Sequence, residues 1–251
     1  MNYEIKGGSF PIVECTLNQG EKMITQSGSM CWMDATISMD TTSNGGVKKV
    51  LSRALSNESL FQNVYTSNQN GSKISFGTSV PGSIMAVKIE EGQSIICQKS
   101  AFLSAYGNIE LSIYFNKKIG VGLFGGEGFI MQKITGNGIV FLEIDGSSMQ
   151  YDLQAGQQMI LSTGYLVSMS ESCTLDVQTV KGIKNIFLGG EGIFNTVITG
   201  PGRVITQTMP LARLADSIIP FIPSAPSTPT SNDSNIENVA NAAGSIFKIF
   251  K

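Results

Sequence analysis

The sequence contains no histidine, and only 14% of its 251 residues are charged. Histidine is the commonest general base and the commonest metal ligand, so its absence excludes Ser-His-Asp and Cys-His catalysis and any histidine-ligated zinc site. The net charge of −2 offers no long-range attraction for nucleic acid or an anionic membrane. We therefore expect a non-enzymatic protein without cofactor or metal, and no nucleic-acid partner.

Cysteine and long apolar runs are also scarce. The four cysteines, Cys15, Cys31, Cys97 and Cys173, form no C-x-x-C pair, and Met1–Lys6 lacks the apolar core of a signal peptide. No apolar run reaches the roughly 18 residues that a membrane-spanning helix needs. Cytosolic proteins rarely keep disulfides. The sequence thus predicts a cytoplasmic location and buried free thiols.

The most informative pattern that is present is a glycine–glutamate block. The segment Leu123–Phe129, with Gly125, Gly126 and Glu127, returns 64 positions later as Phe187–Ile193, with Gly189, Gly190 and Glu191. A weaker first copy contains Glu58. A constant offset over several motifs indicates internal duplication, which determines the architecture before any local assignment.

A second block precedes each glutamate block. It spans Leu17–Ile24, Ile89–Ile96 and Leu153–Ile160 and carries the turn glycines Gly20, Gly92 and Gly156. An aliphatic residue leads into the turn, and two apolar residues follow it. This pattern predicts a strand, a turn and a new strand, with glycine supplying a positive φ at low cost.

The two blocks alternate through three copies, at about residues 8–76, 82–144 and 146–210. Within each copy, apolar residues alternate with period two, and Gly-Asn and Gly-Ser turns separate short segments. We predict an all-β single domain over residues 1–219, built from three pseudo-symmetric antiparallel repeats of sandwich or barrel type around a pseudo-threefold axis.

The C-terminal region differs in composition. Residues 220–234 are rich in Pro, Ser and Thr and predict a linker. Ser234 and Glu237 then form a capping-box pattern that begins an amphipathic helix over residues 235–251. Its apolar face would dock on the parent domain, on another subunit or partner, or as a peripheral contact on a membrane surface. The docking face comprises Ile236, Val239, Ala243, Ile246, Phe247 and Phe250.

The recurring glutamates allow two interpretations. Glu58, Glu127 and Glu191 could form a carboxylate cluster near the pseudo-axis that binds a cation or a small ligand. Alternatively, each carboxylate accepts hydrogen bonds from backbone N–H groups of its own glycine turn. We favour turn bracing, because three equivalent structural roles account for triplication better than one site does. Trp32, the only tryptophan, is predicted to lie in a core strand, with a Met-rich binding surface as the alternative.

An ordered set of motifs resembles a known family. The set comprises residues 9–21, 27–30, 58–61 and 80–82 together with both Gly-Gly-Glu-Gly blocks. It is similar to a widespread group of uncharacterised proteins named after a yeast mitochondrial-biogenesis protein, altered inheritance of mitochondria. The resemblance covers about residues 3–219. It implies three short double-stranded β-helix units with a fold like that of the tryptophan RNA-binding attenuation protein, and it supplies no catalytic residues.

Two hypotheses for function follow from these patterns. The first is a non-enzymatic structural or assembly protein that binds a protein partner or associates with itself. The alternative is a binding module for a small ligand, a cation or a nucleic acid near the pseudo-threefold axis.

Overall fold

The computed structural model describes residues 1–26, 28–43, 61–117, 128–179, 194–218 and 221. Within these residues, the chain folds into antiparallel strands followed by a short helix, which confirms the all-β, antiparallel expectation. Strand β1 (Asn2–Lys6) precedes the repeats, and helix α1 (Leu211–Ile218) follows them.

The first repeat supplies six strands. They are β2 (Ile12–Leu17), β3 (Lys22–Gln26), β4 (Met30–Met33), β5 (Ile37–Ser43), β6 (Phe61–Ser67) and β7 (Ser72–Gly77).

The second repeat has fewer but longer strands, because two of its strands are continuous where the other repeats each have two separate strands. Its strands are β8 (Gly82–Ile89), β9 (Ser94–Gln98), β10 (Phe102–Lys117) and β11 (Phe129–Asp145). The third repeat again has six, namely β12 (Ser148–Leu153), β13 (Gln158–Ser162), β14 (Leu166–Ser170), β15 (Thr174–Thr179), β16 (Phe194–Thr199) and β17 (Gly202–Gln207).

Each repeat pairs its strands in the same way and forms two half sheets. We call β12-β17-β14 half A of the third repeat and β13-β16-β15 its half B. In the first repeat, half A is β2-β7-β4 and half B is β3-β6-β5. In the second repeat, the long strands β10 and β11 serve both halves, with β8 at the edge of half A and β9 at the edge of half B.

The sheets do not follow the repeats one to one, because half B of one repeat joins half A of the next. Strand β3 pairs with β10, and strand β9 pairs with β14, both antiparallel. The result is one ten-stranded sheet that consists of two six-stranded parts sharing β10 and β11. One runs β8-β11-β10-β3-β6-β5, and the other runs β12-β17-β14-β9-β11-β10.

The hydrophobic core is continuous across these joins. Ile84, Leu103 and Phe141 of the second repeat pack into the core of the first repeat. Ile96, Phe129 and Met131, also of the second repeat, pack into the core of the third. Each repeat thus completes its core with side chains from a neighbour, so the three repeats stabilise one another within residues 1–212.

Helix α1 was not anticipated from the sequence, although Leu211, Leu214 and Ile218 have helical spacing. The backbone N–H of Leu211 donates to Asp145 Oδ2 at 2.8 Å, so a carboxylate from β11 satisfies a free donor of the first turn. The predicted linker at 220–234 and the predicted helix at 235–251 lie outside the described residues, except for Phe221.

Candidate assembly interface

Two strands keep an unpaired outer edge where the repeat pattern would place a partner. Half A of the first repeat ends at β4, and half B of the third repeat ends at β13. In the other repeats the corresponding strands are β10 and β14 for half A, and β3 and β9 for half B, and each of these is paired. Among the described residues, nothing pairs with the outer edges of β4 and β13.

Strand β4 is exposed where its counterparts are buried. Trp32 is the first residue after a bulge that recurs in β10 before Ser104 and in β14 before Ser168. Ser104 and Ser168 are buried under the neighbouring repeat, whereas Trp32 is 55% exposed. The prediction that Trp32 lies in a core strand is therefore wrong as regards burial. Its strand is present, but in these residues no neighbouring repeat covers it.

Strand β13 shows the same contrast. Ile160 lies four residues after its turn glycine, at the position of Ile24 in β3 and Ile96 in β9. Ile96 is fully buried and Ile24 is half-buried, whereas Ile160 is 65% exposed. Ile160 is therefore exposed at a position that is partly or fully covered in the other two repeats.

Neither edge strand carries a charged residue or a proline, two of the features that protect the sheet edges of monomeric proteins. Charged side chains, proline and added twist normally prevent strands at sheet edges from pairing with other chains. Strands β4 (Met30–Met33) and β13 (Gln158–Ser162) contain no charged residue and no proline. The bulge in β4 is no obstacle, since the same bulge occurs in β10 and β14, which do pair. Both edges are therefore chemically open to a further strand.

The turn glycines have the positive φ values that the sequence pattern predicts. Gly20, Gly92 and Gly156 have φ values of +83°, +81° and +74°, and each is followed by a residue whose N–H donates to the carbonyl three positions earlier. No atom lies within 4 Å of a Cβ built on any of the three. Glycine is thus required here by conformation and not by space.

A bracing residue beside each turn was missed in the sequence. The backbone N–H at the start of the turn donates to the side chain that follows the glycine, from Asn18 to Glu21 Oε2 at 2.7 Å and from Gln154 to Gln157 Oε1 at 2.9 Å. Gln93 braces the middle turn in the same way. The sequence pattern that could have predicted this role is a Glu or Gln directly after the turn glycine in all three copies.

Glu21 also links two repeats. Its Oε1 accepts hydrogen bonds from the Tyr106 hydroxyl at 2.7 Å and the Met1 ammonium at 3.0 Å. Burial by itself favours the neutral acid, but the N–H of Asn18, the Tyr106 hydroxyl and the Met1 ammonium together hold the pKa of Glu21 below its ordinary value. The carboxylate therefore stays ionised at the join of repeats one and two.

The glutamates proposed as a site are not among these groups. Glu58, Glu127 and Glu191 lie outside the described residues, as do Gly125, Gly126, Gly189 and Gly190. Both interpretations of these glutamates therefore remain predictions. The same holds for the docking face of the predicted tail helix, Ile236 to Phe250.

A buried acid lies at the passage from the first repeat to the second. Glu143 is 7% exposed and accepts the backbone N–H of Ser79, where the chain leaves repeat one. Burial, reinforced by the negative charge of Asp145, raises the pKa of Glu143 to about 7 against the opposing hydrogen bonds. In the third repeat, Gln207 accepts the N–H of Asp145 at 3.0 Å, where the chain leaves repeat two. A neutral amide therefore performs the same task at the second junction.

The cysteines agree only partly with expectation. All four are free thiols, and Cys15, Cys97 and Cys173 are buried as predicted, but Cys31 is exposed on β4. Burial raises the pKa of Cys15 and Cys97 to about 12, so these thiols are inert. Cys31 occupies the bulge position that Leu103 fills in β10, and Leu103 is buried.

The described residues contain neither a metal-binding cluster nor a membrane-spanning helix. In that part of the chain, no group of three or more His, Cys, Asp or Glu residues is placed to hold a metal ion. The one α-helix described there is too short to cross a membrane.

Comparison with known proteins places the chain in a family. The family model described as Mitochondrial biogenesis AIM24 matches residues 3–209. The chain belongs to the AIM24 family. This result confirms the resemblance read from the motifs, while the likeness to the tryptophan RNA-binding attenuation protein stays a prediction.

Relatives of this AIM24-family chain have been found in streptococci. An uncharacterized protein of Streptococcus pyogenes serotype M6 is 28% identical over 217 residues, covering 83% of this chain and 86% of that protein. A crystal structure of a Streptococcus pyogenes protein matches with a TM-score of 0.71 and 24% identity, covering 88% of this chain and 99% of the other. The second match establishes the fold alone.

Proposed function

We propose that this AIM24-family protein is a non-enzymatic structural protein that assembles with further copies of itself. The observation that carries the proposal is the pair of complementary half sheets. Among the described residues, β4 of the first repeat has no partner strand on its outer edge, whereas its counterparts β10 and β14 are paired there with β3 and β9. In the same part of the chain, β13 of the third repeat has no partner strand on its outer edge, whereas its counterparts β3 and β9 do. The open edge of β13 in one copy can therefore pair with the open edge of β4 in another copy.

The energetics favour this use of the edges. Completing a sheet pairs backbone N–H and C=O groups and at the same time covers Ile160 and Trp32, which are now more than half exposed. Full burial of one such aliphatic side chain contributes about 1.5–3 kcal/mol. Neither strand brings a charge that would have to be desolvated. The absence of histidine from the sequence further supports a role without acid–base catalysis.

The test combines mass and fluorescence. Sedimentation velocity of the full chain over a dilution series should give species heavier than the 26.8 kDa monomer. Emission from Trp32, the only tryptophan, should shift to the blue as protein concentration rises, because assembly buries the indole.

One variant and one matched control sharpen this test. Ile160→Lys places a charge on the β13 edge and should yield a monomer with red-shifted emission. Met149→Lys alters another half-exposed residue, on β12 and away from both open edges, and should assemble normally. A wild-type monomer at all concentrations, or equal effects of the two variants, would overturn the proposal.

A further inference from the structure

The two internal joins share one residue register. In the first join, Thr25 lies opposite Ser104 and Ile24 opposite Ala105. In the second join, Cys97 lies opposite Ser168 and Ile96 opposite Met169. On the half B side, these residues are the fifth and fourth after the turn glycine. On the half A side, they are the first and second after the bulge.

The same positions can be located on the open edges. In the third repeat, the fifth and fourth residues after Gly156 are Leu161 and Ile160. In β4 the bulge falls between Met30 and Trp32, so the first and second residues after it are Trp32 and Met33. Applying the internal register therefore sets Leu161 opposite Trp32 and Ile160 opposite Met33.

The chemistry at these positions suits a join. All four side chains are apolar, and no like charges would face each other across the pair. Leu103 and Val167, which fill the bulge position at the internal joins, are buried, and the equivalent residue Cys31 is a small side chain that is now exposed. A second copy would therefore bury Cys31 as it covers β4.

We infer that β13 of one copy pairs antiparallel with β4 of the next copy, with Ile160 opposite Met33 and Leu161 opposite Trp32. This inference rests on the proposed self-association and specifies its interface. The resulting sheet continues β1-β2-β7-β4 of one copy into β13-β16-β15 of the other. The contact is head-to-tail, so further copies add until the assembly closes into a ring or grows as a filament.

Disulfide trapping tests the register. In a Cys31→Ser background, one preparation carries Ile160→Cys and a second carries Met33→Cys, and the two are mixed and oxidised. The join predicts a covalent dimer of one chain of each kind, seen by mass and reversed by reductant. Leu161→Cys mixed with Trp32→Cys is the companion pair, because adjacent antiparallel pairs alternate in side-chain separation and one of the two suits a disulfide.

A slipped pair serves as the control. Gln158→Cys mixed with Met33→Cys displaces one partner by two residues, about 7 Å along the strand, and should cross-link much less. Heavy species in solution with no preference for the in-register pairs would overturn the register while leaving self-association intact. A monomer in solution would overturn the proposed function itself. In a third preparation, one chain carries both Ile160→Cys and Met33→Cys. A disulfide that forms there without a gain in mass would show that β4 and β13 of the same copy pair with each other, and would contradict both.

Discussion

Replacing the buried acid Glu143 with glutamine should remove a pH dependence of stability. Its carboxyl is 7% exposed and accepts the N–H of Ser79, and burial together with the nearby Asp145 charge raises its pKa from 4.5 to about 7. A raised pKa means that the folded state holds the proton more tightly than the unfolded state. Stability from this group is therefore full below pH 4.5 and is lost as the pH rises through 7.

The size of the effect follows from the two pKa values. The pKa rises from 4.5 to about 7, which at about 1.36 kcal/mol per pKa unit corresponds to roughly 3 to 4 kcal/mol of unfolding free energy. Glutamine keeps the carbonyl oxygen that accepts the Ser79 N–H and carries no charge at any pH. The equivalent Gln207 already performs this task at the next junction, accepting from Asp145 at 3.0 Å. The E143Q variant should thus fold normally.

The assay is urea denaturation of wild type and E143Q at fixed protein concentration, at pH values from 4.5 to 8. The difference between their unfolding free energies isolates Glu143, since other groups titrate in both proteins. We expect E143Q to gain relative to wild type across this range and to level off above pH 7. The reciprocal Q207E variant should lose unfolding free energy relative to wild type as the pH rises. Its ionised carboxylate would face the Gly164 carbonyl, to which Gln207 now donates at 3.0 Å. Parallel curves for wild type and E143Q would refute the reasoning.

Two further predictions concern the glycines and the thiols. Gly92→Ala should lower the unfolding free energy by about 1–2 kcal/mol, because the φ of Gly92 is +81° although its Cβ would have open space. Gly138→Ala should lower it by more, because the new Cβ would lie 2.0 Å from the Tyr106 carbonyl oxygen. Chemical denaturation of both variants measures the two losses, and equal losses would contradict this account. In dilute protein, where no second copy covers β4, maleimide should label Cys31 first and leave Cys15 and Cys97 unlabelled until unfolding, as peptide mass mapping can determine. Rapid labelling of Cys97 in the folded protein would disagree with its burial and its pKa of about 12.

The parts of the fold that could be predicted depend on local information. Gly20, Gly92 and Gly156 are placed by their own backbone conformation, so a sequence pattern alone locates these turns. Period-two alternation similarly indicates antiparallel strands. Family membership followed from an ordered set of motifs, each of them short.

The open edges of β4 and β13 could not be predicted because they depend on contacts between distant segments. Ser104 and Trp32 occupy the same position in their repeats, and nothing local states that one is covered by a neighbouring repeat and the other is not. Alternation assigns a face to a side chain, but only the order of the strands decides whether that face is buried. Trp32 was therefore assigned to the core. Glu21, Gln93 and Gln157 brace the turns at Gly20, Gly92 and Gly156, and the bracing expected of the recurrent glutamates at their own turns stays a prediction.

Hydrogen exchange as a function of protein concentration tests the central claim most directly. The backbone amides of β4 that point away from β7, and those of β13 that point away from β16, should exchange quickly in dilute protein and slow together as concentration rises, because a second copy supplies their partners. Amides of β9, which is already paired on both sides, should be protected at every concentration and serve as the reference. Exchange in β4 and β13 that is independent of concentration, whether fast or slow throughout, would contradict assembly through these two edges.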